Sequence, residues 1–327
     1  MPPAVADPPL LPAWRAAGLR YNGLNFFLRR KFGGRVQKVS LDAGFTCPNV
    51  DGSVATGGCT FCDNRSFSPS RRLPRLDIRG QLDDGIRRLK WRYDVERFIA
   101  YFQPATNTYA PVERLRPLYE QALAHPQVVG LAVGTRPDCV PDDVLDLLEE
   151  LASRTYLSVE YGIQTIHDRS LDWMNRGHHH DATLDAIHRS RGRGFEICGH
   201  VILGLPGESP ADMLATAREL ARLRLDAIKI HNLYAVKRTP LADQVERGEV
   251  TLMGRDDYIR TLVDFVELLP PKMIVERISG DAPPDYLVGP TWCLDKPGVL
   301  RALRAELDRR DTWQGRLVTS HGSRGPA

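Results

Sequence analysis

Three cysteines near the start of the chain, Cys47, Cys59 and Cys62, stand in the stretch Cys-Pro-Asn-Val-Asp-Gly-Ser-Val-Ala-Thr-Gly-Gly-Cys-Thr-Phe-Cys. Thiolates are the usual protein ligands of iron–sulfur clusters, and three of them can hold three corners of a four-iron cube and leave one iron open for chemistry. A structural zinc site asks for four protein ligands. The first histidine in the chain is His125, so a fourth zinc ligand would come from far along the chain or from a carboxylate such as Asp63. The thiols could also be unliganded, but the cluster is the better fit of the three. Gly52, Gly57 and Gly58 would let the loop wrap a bulky group.

The elements that must position this loop read as repeated strand–helix units. Strands are expected over Val36 to Leu41, Arg97 to Phe102, Val128 to Val133, Tyr156 to Tyr161, Glu196 to Leu203 and Ala227 to His231. Helices are expected over Leu76 to Arg92, Pro111 to Ala124, Pro141 to Ala152, Asp181 to Gly192 and Pro210 to Leu223, several with a capping residue or N1 proline at the start. Six parallel strands with covering helices make a doubly wound sheet or an incomplete barrel, and in both, ligands gather at the carboxyl ends of the strands. The first strand runs into the cysteine loop. The others lead to the segment from Gln103 through Thr106 and Asn107, to Gly134-Thr-Arg-Pro-Asp138, to Glu160 through Gln164, to Gly204-Leu-Pro-Gly207 and to Lys229-Ile-His231.

Composition sets the frame. The chain has 327 residues, 42% of them hydrophobic, enough for one large domain or two unequal ones. No apolar run approaches a membrane span and the proline-rich start has no signal-peptide pattern, so a cytoplasmic protein with reduced cysteines is expected. Net charge is +3, but residues 1 to 100 carry 17 Lys and Arg against 9 Asp and Glu, which leaves the remainder acidic. A basic end that also holds the cysteine loop suggests a polyanionic partner; the candidates are Arg29, Arg30, Lys31, Arg71, Arg72, Arg75, Arg87 and Arg88.

Together the cysteine loop, Glu160-Tyr-Gly-Ile-Gln-Thr with Arg176-Gly-His178, His200-Val-Ile-Leu-Gly-Leu-Pro-Gly-Glu208, Ile228-Lys-Ile-His and Thr239-Pro-Leu-Ala resemble a radical S-adenosylmethionine (SAM) enzyme. The resemblance is to the YhcC/YtqA-like family, related to the radical SAM domain of the Elongator catalytic subunit, and covers about residues 15 to 310. Its cysteine spacing is longer than the CxxxCxxC loop common in the superfamily, as in this subgroup. The resemblance implies an α/β fold, a partial TIM barrel of about six strand–helix units with a small C-terminal α/β extension. It divides the chain into a basic segment at 1–35, a radical SAM core at 36–235, an extension at 236–315 and a disordered tail at 316–327.

It further implies that Cys47, Cys59 and Cys62 bind a 4Fe-4S cluster whose open iron chelates SAM. One electron, from a donor such as flavodoxin or ferredoxin, would cleave SAM and yield a 5′-deoxyadenosyl radical. By position, Gln103, Thr106 and Asn107 would meet the SAM amino group, Glu160 and Gln164 the ribose and methionine portion, and Gly204, Leu205, Pro206 and Gly207 the adenine. Relatives tailor the wobble uridine of tRNA, including conversion of 5-carboxymethylaminomethyluridine to 5-aminomethyluridine, which with the basic N-terminal region makes tRNA the expected substrate.

Rival readings are a radical SAM enzyme acting on a small, porphyrin-like molecule and a non-enzymatic zinc-containing RNA-binding module. The latter leaves the Gly204-Leu-Pro-Gly motif unexplained. His178-His179-His180 reads as solvated or structural, and Cys139 and Cys198 as small buried hydrophobes. Cys293 is a candidate exposed thiol that could donate a hydrogen atom or hold an intermediate, with packing the default. Lys229 and His231 could touch SAM or substrate.

Overall fold

Six of the expected strands form, and a seventh joins them in one parallel sheet. The strands are β1 (Val36–Leu41), β2 (Arg97–Phe102), β3 (Val128–Thr135), β4 (Tyr156–Gln164), β5 (Glu196–Leu203) and β6 (Ala227–Asn232), followed after a two-residue strand, β7 (Ala235–Val236), by β8 (Ile274–Arg277). The computed structural model describes residues 11–68, 71 and 76–318. The first ten residues, Arg72, Arg75 and the tail from 319 lie outside them.

The sheet runs β1-β2-β3-β4-β5-β6-β8, every pair parallel. Parallel strands need helical crossovers, which cover the outer face here. Leu82 and Ile86 from the Ile78–Tyr93 helix, Leu115 and Tyr119 from Val112–Leu123, and Leu145 and Leu148 from Asp142–Ala152 are buried in one core with strand residues such as Phe98, Phe102 and Val159. The Pro210–Arg222 helix starts with a capping box in which Ser209 and Asp212 satisfy each other's backbone.

The sheet curls. Its edge strands β1 and β8 come close enough for the Lys38 Nζ to lie 2.6 Å from the Glu276 carboxylate. A helix at Leu24–Phe32, not expected from the sequence, closes the amino ends of the strands. Leu28 packs with Val36 and Ile99, while Leu24 and Phe27 pack against Cys198, Ala227 and Ile274. The result is a curled half-barrel with one floor and one open end.

The extension supplies β8, the Arg255–Glu267 and Lys296–Arg309 helices, each burying one face, and β9 (Leu287–Gly289), which pairs antiparallel with β7. The extension also packs back on the segment before the Leu24–Phe32 helix: Arg20 pairs with Asp308 and Asp311, and Gln314 accepts from the Asn22 amide. No helix among the described residues is long and apolar enough to cross a membrane.

Candidate functional site

The cysteine loop leaves β1 through a fixed exit. Gln81 clamps both backbone groups of Asp42, whose carboxylate pairs with Arg71 at 2.8 Å. Beyond Cys47 the chain turns, with Val50 and Asp51 donating to the Cys47 carbonyl. Gly57 and Gly58 both take φ near +80°, a region glycine enters without steric cost. A second turn, Cys62 N–H to Cys59 O at 2.9 Å, follows them. Buried Asn49 then ties the loop to the carbonyls of Asn175 and Arg176 at 2.5 and 2.9 Å.

Three side chains aim N–H groups at the sulfurs. Asn49 Nδ2 lies 3.5 Å and Arg176 Nη1 3.6 Å from Cys59 Sγ, and Arg136 Nη1 lies 3.8 Å from Cys47 Sγ. Arg136 is itself held by a two-pronged bond to Asp138, and Arg176 by the Gly162 carbonyl. The Cys62 thiol is pushed above its ordinary value, by desolvation first and then by Cys59 and Cys47, so the three sulfurs share one electrostatic neighbourhood. Among the described residues no three His, Cys, Asp or Glu side chains gather tightly around a single ion. Three thiols, two of them supplied with N–H donors, fit an anionic sulfur cluster with one open iron better than a closed tetrahedral zinc, which asks for a fourth protein ligand.

These cysteines line a cavity of 1310 Å³ that also takes in Gln103, Thr106, Glu160 and Gln164. That exceeds the roughly 300–1,000 Å³ of an ordinary ligand pocket. Ala105 and Gln164 line it with φ of +64° and +69°, left-handed values costly for residues with a side chain and characteristic of functional sites. At Gln164 the cause is a break in the β4–β5 register between Gly162 and Gln164.

Other expected site residues stand apart. Asn107 is fully buried, its amide donating to Pro104 and Gly134 carbonyls, and does not line the cavity. Gly204 to Gly207 also lie outside its wall: Leu205 packs with Leu171 and Met174, and Glu208 accepts from Thr165 at 2.7 Å, so this turn fastens the exits of β4 and β5 together. Cys293, expected to be exposed, is fully buried in the turn before the last helix, and burial pushes its thiol up to about 11.

The floor holds a charged network. Glu160, with no exposed side-chain area, accepts from Lys38 at 2.7 Å, from His200 at 2.9 Å and from Lys229; Glu276 pairs with Lys38 and, at 3.5 Å, with Lys229. Desolvation pushes the Glu160 carboxyl up, but Lys229 and Lys38 prevail and hold it well below its usual range. Both lysines stay charged, because the two carboxylates outweigh the desolvation that opposes them. Lys38 and Glu276 were missed in the sequence reading. Their signal is a charged residue inside a short apolar strand, as at Glu160 and Lys229.

His200 and His231, 5.7 Å apart ring to ring, are kept neutral, mainly by desolvation and then by Lys229 and Arg277 respectively. Their folded values lie below 6.5, so the stability they contribute is complete above pH 6.5 and is lost as pH falls beneath it, by up to about 1.4 kcal/mol per pH unit for each. Urea midpoints should therefore drop between pH 7.5 and pH 5.5, and drop less in His231→Gln. An equal drop in the two proteins would refute the assignment.

Basic residues divide by location. Arg29, Arg30 and Lys31 end the helix under the amino ends of the strands, away from the cysteine loop, so sequence proximity misplaced them. Arg71, Arg87 and Arg88 each pair with an aspartate. The cavity wall itself carries Arg65, Arg238 and Lys296, each within 4 Å of a carboxylate.

A curled parallel sheet carrying a cysteine loop at the carboxyl end of its first strand and a polar interior defines a class, and comparison with known proteins agrees. Residues 52–220 match the radical SAM superfamily and residues 225–309 the radical SAM C-terminal domain. The chain belongs to the radical SAM superfamily, and within it to the family that includes YtqA and YhcC. It is 44% identical to YtqA of Bacillus subtilis (strain 168) over 91% of this chain and 92% of that protein. To YhcC of Escherichia coli (strain K12) it is 39% identical over 92% and 93%. A shorter match, 28% over 50% of this chain and 30% of its partner, is to the tRNA uridine(34) acetyltransferase of Methanocaldococcus jannaschii. In fold it resembles the archaeal Methanocaldococcus infernus Elp3, with TM-score 0.67 and 17% identity over 85% of this chain and 64% of that one. The protein is thus a radical SAM enzyme, of a superfamily whose cofactors are a 4Fe-4S cluster and SAM.

Proposed function

We propose that Cys47, Cys59 and Cys62 hold the cluster, that SAM lies across the cavity between the thiols and the charged floor, and that the enzyme modifies the wobble uridine of tRNA. The observation that carries the cofactor assignment is the N–H donor set of Asn49, Arg136 and Arg176 around Cys47 and Cys59. When bound, the cluster and SAM supply a radical that abstracts hydrogen from an unactivated carbon.

The chain's own residues orient and shield. Donation by Arg136 and Arg176 offsets negative charge on sulfur, and Ala105 and Gln164 hold backbone groups against the cavity in conformations that binding would reward. Gly134 keeps the backbone of β3 within reach of Gln103, since a Cβ there would meet the Phe102 carbonyl at 3.2 Å. A cavity of 1310 Å³ leaves room for a substrate group beside SAM.

Support for the tRNA substrate comes from the relative named a tRNA uridine(34) acetyltransferase and from the cations in the cavity wall. Wobble bases sit in a single-stranded loop, where an enzyme reaches a base without opening a helix. The test compares tRNA nucleosides by mass spectrometry from cells with and without the gene. One wobble-uridine derivative should disappear and its precursor accumulate. Unchanged nucleosides, with 5′-deoxyadenosine still formed by the purified protein, would leave radical chemistry standing and defeat the tRNA substrate.

A further inference from the structure

Strand β8 contains an irregularity that turns two consecutive side chains into the cavity. Ala227 pairs with Ile274 and Ile228 with Val275, but Lys229 pairs with Arg277, so Glu276 is the extra residue of a bulge. Neighbouring residues of a regular strand point to opposite faces; a bulge re-aims them, and bulges favour places next to active sites. Here Glu276 and Arg277 both line the cavity.

Each has capacity to spare. The Glu276 side chain has no exposed area, and while its Oε2 meets Lys38 at 2.6 Å, its Oε1 has no partner. A buried acceptor left unmet bears the cost of its lost hydration without a compensating bond. Among the described residues Arg277 forms no ion pair or hydrogen bond, in contrast to Arg65, Arg71, Arg136 and Arg238 of the same wall, each beside a carboxylate. Lys38 and Lys229 are taken up by Glu160 and Glu276, so Arg277, at the exposed end of β8, has no carboxylate partner among the described residues. Arg277 lines the same cavity as His231, whose Nε2 is itself without a partner among the described residues.

We propose that Glu276 and Arg277 recognise a zwitterionic substrate group, a protonated amine on Glu276 Oε1 and a carboxylate a few bonds away on the Arg277 guanidinium. Arginine is suited to the second role because its planar fork meets a carboxylate with two bonds. The inference deepens the tRNA reading, resting on it for the molecule that carries the group, whereas the recognition itself is independent of the carrier. Arg277 is thereby a specificity residue for substrates that bear the carboxylate.

The test is equilibrium dialysis of the anaerobically reconstituted protein, with cluster and SAM, against two pairs of probes. One pair is 5-carboxymethylaminomethyluridine and 5-aminomethyluridine; the other is N-benzylglycine and benzylamine, which share the charge difference without the uridine. The carboxylate-bearing probe should bind roughly tenfold or more tightly. Arg277→Gln should erase that preference and Arg277→Lys restore part of it, with iron content unchanged. A preference confined to the benzyl pair supports the zwitterion site and defeats the uridine substrate. No preference in either pair, or one that survives Arg277→Gln, overturns the proposal. So does an Arg277→Gln protein that keeps the preference but needs more SAM for cleavage, because Arg277 would then serve the SAM carboxylate.

Discussion

Cys59→Ala is expected to remove bound iron and SAM cleavage in one step. Cys59 is the most enclosed of the three thiols, 6% exposed, and among the described residues the only one to which two side chains, Asn49 and Arg176, direct N–H groups. Alanine takes away a corner of the cluster and leaves Arg176 Nη1 facing a methyl group, at a cost to stability of roughly 1–3 kcal/mol, while Asn49 Nδ2 keeps the carbonyls of Asn175 and Arg176. Anaerobic reconstitution followed by iron, sulfide and 5′-deoxyadenosine assays checks this: all three should fall to background in the variant. Iron at the wild-type level with full turnover would contradict it. The wild-type protein supplies a second arm, since stoichiometric zinc without iron or sulfide after anaerobic purification would sink the cluster assignment itself.

The loss should be local. The loop is stitched to its surroundings by backbone bonds that do not involve the sulfurs, among them Thr60 to Met174, Gly58 to Asn49 and Leu241 to Thr60. A Cys59→Ala chain therefore keeps its barrel, and its far-ultraviolet circular dichroism should match that of the metal-free parent.

Much of this arrangement was legible in the residues, for reasons that also explain the gaps. Strands β1, β2 and β5 have the bounds expected of them, because apolar residues recur through each and the pattern changes on either side. Strand β8 escaped notice: it is four residues long, follows Pro270 and Pro271, and two of its four residues are charged. A strand that short carries too little alternation to register, yet it delivers Glu276 and Arg277. The Leu24–Phe32 helix was obscured by its charge. Leu24, Phe27 and Leu28 stand at helical spacing, but the adjoining Arg29, Arg30 and Lys31 read as a basic patch for a polyanion.

The site divides along the same line. Cysteine spacing is local and visible, while the partners of the sulfurs arrive from 89 residues away in Arg136 and 117 in Arg176. The resemblance set Glu160 against the ribose and methionine portion of SAM by its place at the carboxyl end of the expected fourth strand, and protein donors surround its carboxylate. Strand-end position told which residues could reach the cavity but not which already had partners, because partners lie on other strands.

The largest stability effect expected is that of Glu160→Ala. Its carboxylate, with no exposed area, sits between Lys38 and Lys229 with His200 as a further donor, and these three expose only 14%, 6% and 20% of their side chains. Removing one member of a buried charge set strands the others, which costs on the order of 3–5 kcal/mol, whereas replacing partners together by apolar groups is close to neutral. Glu160→Ala should accordingly unfold at much lower urea, and Glu160→Leu combined with Lys229→Met should recover part of the loss. The pH dependence has a definite sign. The folded Glu160 value lies well below the ordinary 4.5, so its contribution is complete above pH 4.5 and is lost as pH falls toward the folded value. The gap between wild type and Glu160→Ala should therefore be widest near neutrality and close on acidification. A gap at pH 7 within about 0.5 kcal/mol, the range of an ordinary surface change, would refute the argument. The network matters beyond its energy because β1 and β8 are not paired by backbone hydrogen bonds. Lys38 bridges Glu160 and Glu276, so loosening its hold on one side frees the seam through which the barrel would open, and with it the bulge that presents Arg277 to the cavity.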